Sequence, residues 1–170
     1  MEQRFLGNSG LEVSALSFGT MTIGGRDRFA KMGTLGVAET VRILDLLRDS
    51  GVTTLDTADV YSNGGAEEVL GEALKGRRQE FVLATKAYQR MFPGPHGTGL
   101  SRKYLISACE ASLRRLQTDY VDLYLCHEPD QIVPVEETLR AYDDLVTSGK
   151  VRYIGCSNHS AWHVDRKSVV

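Results

Sequence analysis

The chain has 170 residues, 42% of them hydrophobic, the size and apolar content of one globular domain able to bury most of its surface. Its 20 basic and 22 acidic residues leave a net charge of -2 with no long run of one sign, so composition points to no nucleic acid or other polyanion as partner. Three cysteines without C-x-x-C spacing, Cys109, Cys126 and Cys156, suggest neither a disulfide framework nor a zinc site, and no stretch approaches the roughly 18 apolar residues of a membrane span or forms a signal core, so a soluble protein of the reducing cytoplasm is expected.

Arg4-Phe5-Leu6-Gly7 and Leu11-Glu12-Val13-Ser14 are short extended runs around the turn cluster Asn8-Ser9-Gly10, which predicts a hairpin. The small and apolar run Ala15 to Thr20 then feeds a long Gly-containing loop from Ile23 to Gly36. From Val37 the period becomes helical, with Val37, Val41, Leu44 and Leu47 on one face and Gly51 where a C-terminal cap belongs.

The same strand-helix alternation continues along the chain. Strands are predicted at Thr53 to Asp56, Phe81 to Lys86, Val121 to His127 and Val151 to Cys156, and helices at Ala66 to Lys75, Ser101 to Leu116 and Pro134 to Ser148. Pro134 suits a first helical position, Glu136 and Glu137 suit the positive end of the helix dipole, and Gly76 and Gly149 suit helix exits. Short, mostly apolar strands separated by helices are the pattern of a parallel sheet covered on its faces, an α/β protein.

Two architectures fit this alternation, an open doubly wound sheet and part of an eight-stranded barrel. Length alone favours the first. Against a phosphate cradle, the loop after the first strand, Gly19-Thr20-Met21-Thr22-Ile23-Gly24-Gly25, contains neither G-x-G-x-x-G nor G-K-[ST]. A flavodoxin-like nucleotide-binding or receiver domain is the third reading, and the missing acidic pair after the first strand argues against a receiver.

Polar groups recur at the C-terminal ends of successive strands: Asp56, Lys86, His127 and Ser157-Asn158. Each alone has a bland explanation as a solvated or hydrogen-bonded residue, but in a barrel these positions converge on the rim that carries active sites. Cys126 beside His127 is no nucleophile pair, because adjacent strand residues point to opposite faces. His96, His159 and His163 have no companion Cys or carboxylates at ligand spacing, so no metal is expected. Tyr88 and Tyr124 read as packing residues and Trp162 as a helix-face anchor, with a place in a ligand pocket as its second reading.

The segment Leu55-Asp56-Thr57-Ala58-Asp59-Val60-Tyr61, followed by Glu67, Glu68, Leu70 and Gly71, resembles the signature around the catalytic Asp and Tyr of the aldo-keto reductase family. Thr85-Lys86, Asp122-Leu123-Tyr124-Leu125-Cys126-His127 and Gly155-Cys156-Ser157-Asn158 match further motifs in order, and the resemblance covers about residues 4–162. The segment Gly149-Lys150-Val151-Arg152-Tyr153-Ile154-Gly155 is similar to the potassium-channel-beta-subunit-like and aryl-alcohol-dehydrogenase-like branches. What the resemblance implies is an incomplete TIM (β/α)8 barrel, an N-terminal hairpin plus about five parallel strands and four helices in one domain over residues 1–170.

The implied chemistry is NADPH-dependent reduction of an aldehyde or ketone, with Tyr61 giving the proton. A phenol titrating near about 10 is a reluctant donor at neutrality, so a neighbouring cation helps by stabilising the phenolate. By resemblance Lys86 is that cation, Asp56 holds it, and His127 orients the carbonyl oxygen. Gly19, Thr20, Met21, Asp56, Ser157 and Asn158 are the expected NADP(H)-binding residues, Ser157 and Asn158 taking the nicotinamide carboxamide.

A barrel of this kind takes roughly 250 residues, so a truncated chain lacking three strands is expected, and with them the loops that in the family grip the adenosine and its 2′-phosphate. His163 to Val170 shows only a weak helical period. An open barrel edge gives homo-oligomerisation a physical motive. The second functional reading is a catalytically weak or inactive binding or regulatory chain of the same lineage.

Overall fold

The computed structural model describes residues 1–167. Strands β1 (Gln3–Phe5) and β2 (Glu12–Ser14) pair antiparallel as the hairpin, closed by Leu6 N–H donating to Leu11 O at 2.8 Å. Five parallel strands follow: β3 (Ser17–Gly19), β4 (Thr54–Asp56), β5 (Val82–Ala87), β6 (Val121–Cys126) and β7 (Val151–Cys156). Their spatial order is β3-β4-β5-β6-β7, the order of the chain. A doubly wound sheet reverses direction at a switch point, and this one does not, so the topology is that of consecutive barrel strands.

Helices α1 (Val37–Asp49), α2 (Gly65–Ala73), α3 (Arg102–Leu116) and α4 (Val135–Thr147) connect the strands and cover one face. Their apolar stripes meet the sheet in a single core, with Leu44, Leu70, Leu105 and Tyr142 packed against Leu55, Leu83 and Tyr124, each at most 1% exposed. Each such side chain removed from water contributes about 1.5–3 kcal/mol. Tyr124 therefore packs as expected, its ring edge-on to Tyr142 at 5.6 Å.

Boundaries shift where caps decide them. Ser101 precedes α3 as its cap, its hydroxyl accepting from Tyr104 N–H at 3.3 Å. Pro134, expected at the first helical position, is instead the cap residue of α4, with an extended ψ of 134°. The weakly periodic segment after Ser160 forms a short helix, α5 (Ala161–Lys167), and the expectation for Ser168 to Val170 lies outside the described residues. Trp162 on α5 is 61% exposed, so it anchors no helix face; it lines a groove against the loop before α4. Ile154, 44% exposed, leaves the last strand of the sheet with an uncovered apolar group.

Candidate active site

Parallel strands in register bring their C-terminal ends to one rim. Gly19 stands beside Asp56, and Asp56 beside Ala84, while Lys86 pairs with Leu125 one strand further on. Lys86 is 5% exposed, and its ammonium donates to Asp56 Oδ2 at 2.7 Å and to Thr57 O at 2.8 Å. Two oxygens thus satisfy a cation that burial would otherwise expel. The same Nζ lies 5.2 Å from the centroid of the Tyr61 ring, within cation–π range.

Tyr61 opens a single tight turn, Tyr61–Gly64, ahead of α2. Ser62 and Asn63 occupy the left-handed region at φ 51°, a strained arrangement for residues with a Cβ, and the buried Ser62 hydroxyl secures it by donating to Ile23 O at 2.7 Å. The Tyr61 ring is edge-on to His127 at 5.9 Å and to Phe29 at 6.1 Å. His127 follows β6, held by its N–H donating to Ala87 O at 3.1 Å. Burial first, then the Lys86 ammonium, holds the His127 imidazole below its ordinary pKa, so the ring is neutral at neutral pH. Its Nδ1 is buried and has no hydrogen-bond partner among the described residues. Asp56, Tyr61, Lys86 and His127 are therefore together.

The expected nicotinamide-side residues flank this cluster. Asn158, at φ 57°, donates from Nδ2 to His127 O at 2.8 Å and to Ser157 Oγ at 3.2 Å, tying the end of β7 to that of β6. A Cβ built on Gly19 meets nothing within 4 Å, so the rim is open there, and Met21 is 43% exposed. Thr20 differs: it is wholly buried, and both its N–H and its hydroxyl donate to Asp56 O, at 2.9 and 3.1 Å. It has no surface to offer a ligand and holds the strand end that carries Asp56.

Behind the rim lies a buried polar network whose contacts the sequence does not announce. Strand alternation sends Lys86 to the rim and Thr85 to the helix side, where Thr85 Oγ1 donates to Glu67 Oε1 at 2.6 Å. Glu67, fully buried on α2, also accepts from Arg115 Nε at 2.7 Å. Asp59 is fully buried next to this pair, and neither of its carboxyl oxygens has a hydrogen-bond partner among the described residues. Burial first, then the Glu67 charge, pushes its carboxyl well above the usual carboxylate range, with Arg115 acting in the opposite sense. Asp59, Glu67 and Thr85 all fall inside the segments that carry the family resemblance, but nothing in the sequence says that they meet.

No group of three or more His, Cys, Asp or Glu among the described residues is placed to hold a metal ion. His159 Nδ1 lies 2.6 Å from Ser157 O and His163 Nδ1 lies 2.8 Å from Ser160 Oγ, contacts within the chain's own turns. No helix among the described residues is long and apolar enough to cross a membrane.

Functional groups gathered at the C-terminal ends of consecutive parallel strands, over a core sealed by helices, are the arrangement of a (β/α)-barrel rim. Residues 15–168 match the model of the Aldo/keto reductase family, and the chain belongs to that family. It is 42% identical over 167 residues to a probable voltage-gated potassium channel subunit beta of Arabidopsis thaliana, covering 96% of this chain and 48% of that protein. It is 36% identical over 167 residues to the aldo-keto reductase YhdN of Bacillus subtilis, covering 97% of this chain and 49% of that one. Among solved structures, aldo-keto reductase AKR11C1 from Bacillus halodurans, in its holo form, superposes with a TM-score of 0.83 at 39% identity, over 98% of this chain and 53% of its own. The chain thus spans about half the length of the relatives it matches, and its sheet is a partial TIM barrel.

Proposed function

We propose that this rim reduces aldehydes or ketones to alcohols, with NADPH as the hydride source and Tyr61 as the proton donor. The observation that carries the reading is the buried Lys86 ammonium, fixed by Asp56 and Thr57 beside the Tyr61 ring. The residues fit a nicotinamide: the rim is open at Gly19, and Asn158, anchored through Nδ2, keeps Oδ1 to accept from a carboxamide. Met21 and Ser157 border the same space, and Asp56 and Thr20 support it from beneath.

A nicotinamide bound there would supply a hydride, one hydrogen nucleus with two electrons, to the carbonyl carbon. The chain's own groups manage the oxygen. As negative charge develops on it, the Tyr61 hydroxyl gives up its proton, and the phenolate left behind faces the Lys86 ammonium. Asp56 keeps that ammonium in place without being the acid itself. His127, neutral, offers an N–H to the same oxygen and sets its direction; a proton on Nε2 leaves no orphaned N–H at the buried Nδ1.

The test is NADPH titration followed by its oxidation with an aromatic aldehyde. Saturable binding and turnover, lost by about 100-fold or more in Tyr61→Phe, are expected. No binding up to millimolar NADPH refutes the reading. The 42% identity to a potassium channel subunit beta favours a second one, a binding or regulatory chain. NADPH binding without turnover distinguishes it. Among the described residues β3 and β7 each pair with one strand only, which with the exposed Ile154 supports self-association; a well-folded monomer in sedimentation refutes it. Three cysteines without a disulfide among the described residues support a reducing cytoplasm as the compartment.

A further inference from the structure

A cavity of about 550 Å³ opens beside the rim, between the loop after β3, the turn after β4 and the loop after β5. Its size is that of a small-molecule site. Phe29, Val60, Phe92 and Pro93 give it apolar walls. It abuts the reacting groups: Val60 precedes Tyr61, and the Phe29 ring meets the Tyr61 ring edge-on at 6.1 Å.

The same cavity is lined by two arginines, Arg28 and Arg90, against one acid, Asp27. Among the described residues neither arginine has a carboxylate within 4.0 Å, whereas the nearby Arg26 is already paired with Glu68 at 2.6 Å. Arg28 stacks over the Phe29 ring at 5.0 Å, and its charge adds to burial and Lys86 in lowering the pKa of His127. Arg90 Nη1 donates to Gly94 O at 2.6 Å and Phe92 O at 3.3 Å, which fixes the guanidinium on the cavity wall with its remaining donors free of protein acceptors among the described residues. Unpaired guanidinium groups over an apolar floor match a molecule with an apolar body and a carboxylate or phosphate, since the planar fork binds such anions in two-point fashion.

We infer that this cavity takes the body of a carbonyl substrate that carries an anionic group, and that Arg28 and Arg90 hold the anion. The position of the reacting end rests on the carbonyl-reductase reading; the binding does not. The test compares 4-formylbenzoate with 4-methylbenzaldehyde by NMR titration of the chain, in the wild type, Arg28→Met, Arg90→Met and the charge-retaining Arg28→Lys and Arg90→Lys. The carboxylate probe is expected to bind about tenfold tighter or more, from charge-assisted hydrogen bonds. That advantage should shrink in each methionine variant, fall with added salt, and survive in part in the lysine variants. Equal binding of the two probes, no binding of either, or an advantage unchanged in both methionine variants overturns the inference. If the carboxylate preference holds while NADPH neither binds nor is oxidised, the inference stands and the reductase reading falls.

Discussion

Removing Arg115 is the sharpest perturbation that the buried network offers. Glu67 is fully enclosed, while the Arg115 side chain keeps 20% of its surface. Arg115→Met therefore strands a buried carboxylate beside the Asp59 carboxyl, with Thr85 as its remaining donor. Breaking a buried pair from one side costs about 3–5 kcal/mol. For a chain of this length that corresponds to a fall in Tm of about 6–20 °C, at 2–4 °C per kcal/mol. Glu67→Gln is milder, about 1–2 kcal/mol, because it removes the buried charge and leaves a guanidinium able to reach water. The double variant should recover part of the Arg115→Met loss. Urea unfolding followed by far-UV circular dichroism at pH 7 measures all three. A cost below about 1 kcal/mol for Arg115→Met, or a larger cost for Glu67→Gln, refutes the reasoning.

Three further outcomes follow from the same geometry. Asp59 binds its proton more tightly folded than unfolded, so its contribution is lost as pH rises from the ordinary carboxylate value of 3.8 toward the raised one; Asp59→Asn should gain Tm over the wild type at pH 8 and show the smallest gain near pH 4. Gly64 sits at φ 85°, and a Cβ there would stand 2.7 Å from Arg115 Cδ, so Gly64→Ala should lose about 1–3 kcal/mol in the same unfolding assay. Lys86→Met should keep the fold, because Asp56 is partly solvated, yet slow single-turnover NADPH oxidation by about 100-fold or more; a rate within about tenfold of wild type would remove Lys86 from proton transfer.

Much of this was legible in the chain. Strand ends marked by Asp56, Lys86 and His127 are visible because a short, mostly apolar run stops at a polar group, and the alternation of strands and helices gives the layers. Strand order is not in that pattern: it took the pairing of β4 with β5 and of β5 with β6, in place of the switch point of a doubly wound sheet, to separate the two architectures. The Glu67–Thr85–Arg115 contacts join residues 18 and 48 positions apart, and Thr85 alone is an ordinary β-former. Thr20 looks like a small residue near a ligand, but its hydroxyl is spent on the Asp56 carbonyl. The left-handed turn at Ser62 and Asn63 is equally hidden, since tertiary contact with Ile23 holds it.

Strand β5 serves two masters, the rim through Lys86 and the hidden network through Thr85. A one-codon insertion or deletion ahead of them would turn both side chains over together, the ammonium toward the helices and the hydroxyl toward the rim. A two-codon change restores the faces but slides Lys86 about 6.6 Å along the sheet, past the reach of Asp56. The placement of both groups therefore rests on the length of β5 as much as on its composition.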